Sequence, residues 1–454
     1  MSETVTAESL HRTAKYFMDS GRAASYEEAL ALLRSYALFV KVGPEISTSR
    51  DHQIALLTLV NAGRRTFLGG VHVVGLLDAP LLCRHCDGDN IQQAVRALGG
   101  HVAAEESDGA LVAVIGSATA GSANRASWQI TWDGWRAGVI PTRENRRLPE
   151  NKSGGLAPVL AAALCASEAF TFCTSDHPFA GRRSVGLSLW RPDSDWLSHS
   201  ADEPPIQILP SHLWLIGLGN LGQAYAWTLA SLTYPDDAVV ELMLQDVDRL
   251  AESNDSTSVL SSLDVVGQMK TRIVSRWLEK QRFRTFIEER RFSSRTTRAS
   301  NEPGVALCGV DNMLARSALE QAGFGLVVET GLGAGPYGFR NLSLHTFPSS
   351  LSAAVLWGGK EATKIDVAAM PAYSANNNKH LDECGLAQMA SRTIGVPFVG
   401  LTAAAFAVSE LLRRLHGGPA LELLSGSLLV PSDVEVSYVN GATYEFGFVP
   451  SVRH

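Results

Sequence analysis

Apolar runs of strand length and longer helical patterns follow one another along the chain, and the same order occurs twice. The first part contains two strand-like runs and one Ala-rich helical run: VHVVGLL (71–77), ALVAVIG (110–116) and GGLAPVLAAALCASEAF (154–170). The second part contains four strand-like runs and another Ala-rich helical run: LWLIG (213–217), VVELMLQDVD (239–248), GVALCGVDN (304–312), GLVVETG (325–331) and VPFVGLTAAAFAVSELLRRLHGG (396–418). Strands that alternate with helices predict an α/β fold whose mainly parallel sheets are covered by helices.

The repetition predicts two related Rossmann-like units that pack as a pseudo-dimer within one chain. The alternative is a pair of unrelated α/β domains, since any two such domains share this coarse pattern. Ser25 followed by Glu28 predicts a capped helix start near the N-terminus. The sequence predicts a helical segment at 1–40, a first unit at 41–190 and a linker rich in Pro, Ser and Asp at 191–211. A second unit at 212–425 and a short β or tail segment at 426–454 follow.

Composition narrows the class of protein. The chain has 454 residues, of which 45% are hydrophobic and 19% charged, as in ordinary globular proteins of more than one domain. A formal net charge of −7 argues against a mainly nucleic-acid-binding role and favours a small molecule or a protein as partner. Six cysteines over this length predict no disulfide framework and fit a reducing cytoplasm. No apolar signal core and no membrane-spanning run is evident in the sequence.

A glycine motif follows the first strand of the second part. Gly217-Leu-Gly219-Asn-Leu-Gly222 has the spacing that lets a backbone approach phosphates at a helix N-terminus. Asp246 or Asp248, about 25 positions further at the end of the next strand, is placed to hold a ribose hydroxyl. Taken alone, the motif favours a nicotinamide-dependent dehydrogenase. The alternative is a glycine turn that serves only close packing.

The residues that follow Asp246 and Asp248 change the interpretation of the glycine motif. Asp248 is followed by Asn254, then by GQMK ending at Lys270, and after a further strand by CGVDN with Asp311. This succession resembles the adenylating fold of ubiquitin-activating enzymes and of the bacterial ThiF and MoeB proteins. That family has GxGxxG, DxD, an Asn–Arg pair, GxxK and a strand ending in Asp–Asn, in this order. The resemblance covers most of residues 211–418 and depends on the order of all five motifs.

The resemblance implies ATP and Mg²⁺ as cofactors and a role for each motif. Transfer of AMP to a carboxylate brings anions together, so the site must supply positive charge. Lys270 at a helix start is a suitable cation, and Asp311 is a suitable oxygen ligand for Mg²⁺. The alternatives are a solvated lysine and a helix N-cap. The nucleotide-binding residues implied are Gly217, Gly219, Asn220, Gly222, Asp246, Asp248, Asn254, Lys270 and Asp311.

One position departs from the family pattern. Relatives carry an arginine three residues after the asparagine, where this chain has Thr257. In the family a second arginine from the other unit reaches the triphosphate, and it precedes the first strand by about 20 residues. Arg50, which lies 21 residues before Val71, is the candidate, with Arg64 and Arg65 as substitutes. The alternative for Arg50 is a surface arginine beside a helix start.

The first unit is expected not to bind nucleotide. The loop that follows its strand 71–77 has one of three glycines and places Asp78 where phosphates would lie. The expected architecture is therefore an inactive unit fused to an active one, as in eukaryotic ubiquitin-activating enzymes.

The cysteines are expected to differ in role. Cys384 lies between Asp311 and the last long helix, where thioester-forming relatives have their nucleophile. Asp382 and Glu383 oppose a lowered thiol pKa, and the alternative is a small packing residue. Cys165 and Cys308 are predicted to be core residues. Cys83 and Cys86 form a CxxC motif without a second pair, so we expect no zinc.

The expected function is ATP-dependent adenylation of the C-terminal glycine of a ubiquitin-like or sulfur-carrier protein, followed by thioester formation. The crossover segment 332–383 is expected to cover the tail of that protein. A conjugating enzyme is a further possible partner, with the N-terminal helical segment as a candidate surface, and pairing into a homodimer is left open. The alternatives are an NAD(P)-dependent oxidoreductase and a non-catalytic binding protein.

Overall fold

The N-terminal region is only partly helical. The computed structural model describes residues 6–151, 153–358, 371–373, 383–440 and 447–452. Two short helices, α1 (Ala14–Asp19) and α2 (Tyr26–Arg34), precede the first strand, β1 (Leu38–Val42). Glu28 N donates to Ser25 Oγ (3.2 Å), which gives the predicted helix cap. The prediction of helix up to residue 40 is wrong, because alternate residues of Leu38–Val42 are buried in a sheet.

The first unit is a seven-stranded sheet in the order β3-β2-β1-β4-β5-β6-β7. Five strands, β3, β2, β1, β4 and β5, are parallel to their neighbours. The pairs β5–β6 and β6–β7 are antiparallel. After β1, its elements are α3 (Arg50–Gly63), β2 (Val71–Val74), α4 (Ile91–Ala97), β3 (His101–Val102), β4 (Leu111–Ile115), β5 (Ala126–Asp133), β6 (Arg136–Pro141), α5 (Leu156–Thr174) and β7 (Val185–Ser188).

The second unit contains an eight-stranded sheet in the order β11-β10-β9-β12-β13-β14-β15-β16, of which the last three strands are antiparallel, and a separate two-stranded sheet of β8 and β17. Its first half comprises β8 (Ile208–Pro210), β9 (His212–Ile216), α6 (Asn220–Ser231), β10 (Glu241–Gln245), α7 (Glu252–Asp255), α8 (Lys270–Lys280), β11 (Arg284–Glu288) and β12 (Val305–Cys308). Then follow α9 (Met313–Ser317), β13 (Leu326–Leu332), α10 (Gly335–Gly338), β14 (Asn341–Phe347), α11 (Ala353–Trp357), α12 (Glu383–Ser391), α13 (Pro397–Leu415), β15 (Ala420–Ser427), β16 (Val430–Val439) and β17 (Phe448–Pro450).

The two sheets have the same central order, which confirms the prediction of two related α/β units. In the first unit β1 lies between β2 and β4, and in the second β9 lies between β10 and β12. The counterpart of β9 is therefore β1, whereas the sequence pattern suggested the strand at 71–77. The end of the predicted linker also differs from expectation, because Ile208–Pro210 forms a strand that pairs with β17.

Helices from both units meet in one hydrophobic core. The Ala-rich helices α5 and α13 pack against each other, α3 packs on α5, and α6 packs on α13. Trp227 Nε1 on α6 donates to Thr58 Oγ1 on α3 (2.9 Å), and Asn61 Nδ2 donates to Val259 O (3.0 Å). Among the described helices, Leu156–Thr174 is long and apolar enough to cross a membrane, but 89% of its apolar window is buried inside the protein. This helix belongs to the protein core.

Candidate functional site

The glycine motif forms a turn between β9 and α6. Gly217 adopts φ +81°, which favours glycine. A Cβ on Gly222 would lie 1.9 Å from the carbonyl oxygen of Gly217, so the helix and the turn meet without room for a side chain. No described atom lies within 4 Å of the position of a Cβ on Gly219, so the turn is open to solvent at this residue. The start of α6 therefore presents backbone N–H groups to an open crevice.

The carboxyl end of β10 lies beside this turn. Leu218 N donates to Asp246 Oδ2 (2.6 Å), and Asp248 N donates to Asp246 Oδ1 (2.8 Å). Asp246 therefore fixes the glycine turn and the position of Asp248. Lys270 Nζ donates to Asp248 Oδ2 (3.0 Å), and the side chains are 11% and 60% exposed, respectively. The structure thus brings a nearly buried cation and an exposed carboxylate together at the crevice.

The carboxyl end of β12 lies on the opposite side of the turn. A Cβ on Gly217 would lie 2.8 Å from Val310 Cγ1, so Asp311 follows a residue that borders the glycine turn. Asp311 is exposed. The helix cap is Asn312, whose Oδ1 accepts from Leu314 N (2.9 Å). The alternative role of Asp311 as an N-cap is therefore excluded, and its carboxylate faces solvent beside the crevice.

Asn254 and Thr257 shape a tight turn near the crevice. Asn254 Oδ1 accepts from Ala251 N (3.0 Å), and this hydrogen bond caps the N-terminal end of the short helix α7. Thr257 is buried, and a Cβ on Gly395 would lie 2.6 Å from its methyl carbon. A longer side chain at residue 257 would meet the backbone at residue 395, so the small threonine suits the close approach of these two segments.

Arg12, a residue that the sequence analysis missed, lies over this turn. Arg12 N donates to Ser256 Oγ (3.0 Å), and Arg12 Nη2 donates to Thr393 Oγ1 (2.6 Å). Burial and the charge of Arg392 lower the pKa of Arg12 while the charge of Asp311 raises it, and the result is about 10. Arg12 is therefore a cation at neutral pH. The available signal was the strand pattern of LFVKV (38–42), because Arg12 lies upstream of this strand, as the family arginine does.

The candidate role of Arg50 requires correction. Its guanidinium donates to the carbonyl oxygens of Ser231 (2.7 Å), Ala230 (3.3 Å) and Leu232 (3.2 Å) at the C-terminal end of α6. The glycine turn is at the other end of this 12-residue helix, about 18 Å away at 1.5 Å per residue. Arg50 therefore satisfies carbonyl groups that the end of α6 leaves without helical partners. Arg50 precedes β2 by 21 residues, but β1 is the first strand of the unit, so the spacing from β2 pointed to the wrong arginine.

Arg64 and Arg65, the other candidates for the role of Arg50, also bind protein groups. Arg64 Nη2 donates to Asp255 Oδ1 (2.6 Å) and Arg64 Nη1 to Asp255 Oδ2 (3.2 Å). Arg65 is buried and donates to the carbonyl oxygens of Asp255 and Ser261 (both 2.7 Å). Both arginines therefore connect α3 of the first unit to the segment that follows Asn254.

The first unit has a carboxylate at the place that corresponds to the crevice. The counterpart of the glycine turn is the loop after β1, where Glu45 accepts from Ser117 N (3.1 and 3.0 Å) just after β4. A Cβ on Gly43 would lie 2.5 Å from the Glu45 carboxylate. Gly75–Pro80, named from the sequence for this role, instead follows β2. The expectation that this unit binds no nucleotide therefore has a different physical basis, an internal carboxylate that would repel phosphate.

Glu45 also gives a pH-dependent prediction. Burial would raise its pKa, but hydrogen bonds from backbone N–H groups and Arg147 lower it from 4.5 to about 2. A lowered pKa in the folded state contributes stability above pH 4.5, and this contribution is lost as the pH falls towards 2. We expect Glu45→Gln to lower Tm at pH 7 and the difference from wild type to shrink at acidic pH. Thermal unfolding across this range measures it.

Glu105→Gln, an exposed substitution in the same unit, is the matched control and should change Tm little at either pH. A Tm difference for Glu45→Gln that stays constant over the same pH range would contradict the assigned role of this carboxylate.

The cysteines occupy different environments. Cys165 and Cys308 are fully buried, as predicted for core residues. Burial raises the pKa of Cys83 to about 11 and that of Cys86 to about 12, so these are poorly reactive thiols. Cys384 belongs to the first turn of α12, but its side chain lies outside the described residues. Within the described ranges, no three or more His, Cys, Asp or Glu side chains gather as a metal site.

Among the described carboxylates at the crevice, Asp248 pairs with Lys270, so Asp311 is the candidate oxygen ligand for a metal ion. A magnesium ion that is shared with nucleotide phosphates takes one or two protein carboxylates and fills its other positions with phosphate oxygens and water. The exposed carboxylate of Asp311 beside an open glycine turn fits this mode of binding. It does not fit a site formed by protein ligands alone.

Comparisons with known proteins agree with the two-unit architecture. Residues 37–189 match the family described as the BilD N-terminal domain, and residues 209–418 match the BilD C-terminal domain. A bacterial E1-like protein BilD from Collimonas sp. (strain OK412) is 53% identical over 450 residues, which cover 99% of this chain and 97% of that protein.

Solved structures with similarity to parts of the chain are more distant. MccB of E. coli has a TM-score of 0.35 and 12% identity, over 69% of this chain and 92% of MccB. The E. coli tRNA N6-threonylcarbamoyladenosine dehydratase TcdA, in a complex with AMP, has a TM-score of 0.30 and 13% identity, over 45% of this chain and 85% of TcdA.

Proposed function

The chain belongs to the BilD family of bacterial E1-like proteins, and from this we propose that it uses ATP to adenylate the C-terminal glycine of a ubiquitin-like or sulfur-carrier protein. The second unit is the active one in this proposal. The first unit lacks an open glycine turn at the corresponding place and has Glu45 there.

One observation carries the proposal. At the carboxyl ends of β9, β10 and β12, an open glycine turn lies between the Asp248–Lys270 pair and the exposed carboxylate of Asp311. In open α/β sheets, ligands bind in the crevice beyond these strand ends. The crevice therefore offers backbone N–H groups and a cation for phosphates, a carboxylate for a ribose hydroxyl and another for Mg²⁺.

The proposed reaction is a displacement at the α-phosphorus of ATP. An oxygen of the carrier's terminal carboxylate forms a bond to this phosphorus, and the bond from the phosphorus to the oxygen bridging to the β-phosphate breaks. Pyrophosphate leaves with the electron pair, and no proton has to move. The protein's task is to position two anions and to stabilise charge on the phosphates. Bound Mg²⁺, held at Asp311, would supply further positive charge.

Arg12 takes the role that the sequence analysis gave to Arg50. It contacts the turn that holds Thr257 in place of the family arginine, because Arg12 N donates to Ser256 Oγ. Two of its donors bind Thr393, and its planar guanidinium can present others to phosphate oxygens. A positive charge from the N-terminal segment thus compensates for the uncharged side chain of Thr257.

Thioester formation on Cys384 is the proposed second step, in which the thiolate attacks the carbonyl carbon of the acyl-adenylate and AMP leaves. A conjugating enzyme is a further proposed partner. Helix α1 is an unsuitable surface for it, because Ala14 to Met18 are buried. The cytoplasm is the proposed location, since the five cysteines within the described residues are free.

The direct test is exchange of labelled pyrophosphate into ATP in the presence of small ubiquitin-like proteins that end in glycine. We expect exchange that requires Mg²⁺ and the carrier, and that is lost when the terminal glycine is deleted. The deleted carrier is the matched control, because its folded part is unchanged. A thioester on Cys384 would appear as a product that is sensitive to reducing agents and absent in Cys384→Ala.

The alternatives give other results. A nicotinamide-dependent oxidoreductase would show a rise in Tm with NADH but not with ATP and Mg²⁺. A non-catalytic binding protein would bind the carrier and ATP but catalyse no exchange with any carrier. Either pattern would contradict the proposed adenylation.

A further inference from the structure

Residues 81–89 of the first unit, here called the CxxC loop, lie against helix α8 of the second unit. The loop contains the CRHC motif at 83–86, none of whose residues takes part in the proposed adenylation. Gln53, a fully buried residue of α3, holds the loop in place. Leu82 N donates to Gln53 Oε1 (2.7 Å), and Gln53 Nε2 donates to Pro80 O (3.0 Å). The loop is therefore fixed to its own unit.

The two cysteines of the motif are packing residues on either side of a histidine. Cys83 is buried in the core and Cys86 packs against this core. His85 is 1% exposed, and its Nε2 lies 2.9 Å from Ser231 Oγ at the end of α6. The Ser231 hydroxyl donates to Trp227 O (2.9 Å), so its oxygen accepts from His85 Nε2. The motif thus inserts one buried histidine into the second unit.

Trp277 on α8 completes this contact between the units. Trp277 Nε1 donates to the carbonyl oxygen of His85 (3.0 Å), and its ring stacks on that of Trp227 with centroids 5.7 Å apart. Just after α8, Gln281 Nε2 donates to the carbonyl oxygen of Arg84 (2.5 Å). Two side chains at the C-terminal end of α8 therefore bind backbone carbonyl groups of the CxxC loop, which fixes this end of the helix.

The other end of α8 begins with Lys270, the proposed cation for the phosphates. Lys270 and Trp277 are seven residues apart, so they lie on one face of the helix, about 10 Å apart along its axis. Lys270 Nζ donates to Asp248 Oδ2 (3.0 Å) at the crevice. A rotation of α8 would move both side chains together. The contact that fixes Trp277 therefore also fixes the direction of Lys270.

We propose that the CxxC loop is a positioning element that fixes α8 and, through this helix, Lys270 for the phosphates of ATP. This inference rests on the proposed function of the second unit. It gives the first unit a part in the reaction, although that unit is expected to bind no nucleotide. Trp277 is about two helical turns away from Lys270, so it acts through the helix and not by contact with the substrate.

The test uses the full-length protein with Trp277→Phe, which keeps an aromatic ring but removes the N–H donor to His85 O. Trp135→Phe is the matched control, because Trp135 Nε1 also donates to a backbone carbonyl, that of Pro204 (2.6 Å), and its ring also contacts a tryptophan, Trp190. We expect Trp277→Phe to lower carrier-dependent pyrophosphate exchange by about tenfold, because small misplacements of groups at the reacting centre are costly. Trp135→Phe should leave the rate unchanged.

A double-mutant cycle shows whether Trp277 acts through Lys270. Lys270→Gln removes the cation and should lower pyrophosphate exchange by about 10²-fold. In this background we expect Trp277→Phe to have no further effect, because no charge is left to be positioned. A general loss of packing would instead lower the rate by the same factor in both backgrounds.

Hydrogen exchange of backbone amides tests the loop without ATP or carrier. We expect the amides of α8 to exchange faster in Trp277→Phe than in wild type and in Trp135→Phe, because local opening of this helix becomes easier. The amides of α3 should exchange at the same rate in all three proteins. Mass spectrometry of proteolytic peptides resolves the two helices.

The outcomes separate the positioning role from the proposed function. A loss of pyrophosphate exchange that depends on Lys270, together with faster amide exchange in α8, supports the role of the CxxC loop. An equal loss in both backgrounds overturns it, and so does a wild-type rate in Trp277→Phe. If wild type catalyses no pyrophosphate exchange with any carrier, the proposed function fails. Amide exchange in α8 then decides whether the loop fixes this helix.

Discussion

Asp311→Asn is expected to lower carrier-dependent pyrophosphate exchange by about 10³-fold, the upper range for loss of one preorganised electrostatic group. The substitution keeps the size of the side chain but removes the charge that would hold Mg²⁺ beside the glycine turn. Asn312 caps α9, so the start of this helix should remain intact. Exchange rates over a range of Mg²⁺ concentrations measure the effect. The variant should need more Mg²⁺ as well as react more slowly.

Asp433→Asn is the matched control for this prediction. Asp433 is an exposed aspartate on β16, at the edge of the sheet far from β9, and its loss should leave exchange unchanged. Exchange by Asp311→Asn at the wild-type rate, with the same Mg²⁺ dependence, would show that Asp311 does not hold the metal.

Arg12→Met should lower exchange by about 10²-fold, because a cation that faces the triphosphate in the transition state is lost while most of the buried stem is kept. Arg12→Lys keeps the charge but loses the planar fork, so it should restore part of the rate. Steady-state kinetics at varied ATP separate the two contributions. A change in kcat indicates stabilisation of the transition state, and a change in KM alone indicates binding of ATP.

Two further arginine variants test the assignment. Arg34→Met, in the exposed last turn of α2, should behave as wild type. Arg50→Met leaves carbonyl groups at the end of α6 without a donor, so it should lower stability by about 1–3 kcal/mol and leave exchange by the folded protein unchanged. If Arg50→Met abolished exchange and Arg12→Met did not, the role given to Arg12 would be wrong.

The sequence predicted those features that depend on local pattern. The glycine turn, the strand before it and Asp246 after the next strand follow from chain segments that are short and periodic. The membership in the ubiquitin-activating-enzyme-like family, first inferred from the order of five motifs, is confirmed by a relative that is 53% identical over nearly the whole chain. The prediction of two related α/β units is confirmed by the shared order of the central strands.

The sequence pattern failed where a short strand adjoined helices. The strand pattern of LFVKV at 38–42 follows a helix closely, so the segment was assigned to the preceding helical region. As a result, β2 was taken as the first strand of the unit. Counting from β2 led to Arg50 as the candidate arginine and to Gly75–Pro80 as the counterpart of the glycine turn.

The local sequence pattern was enough to identify the unit with the open glycine turn and the residues that end its central strands, because adjacent parallel strands bring their carboxyl ends to one edge. Which arginine contacts the turn after Asn254 depends on long-range packing. The hydrogen bonds of Arg12 reach residues 244 and 381 positions away, and no periodic pattern spans such separations. The burial of Lys15 beside Asp19 and Tyr373 was likewise decided by packing, since the partner Tyr373 lies 358 positions away in the sequence.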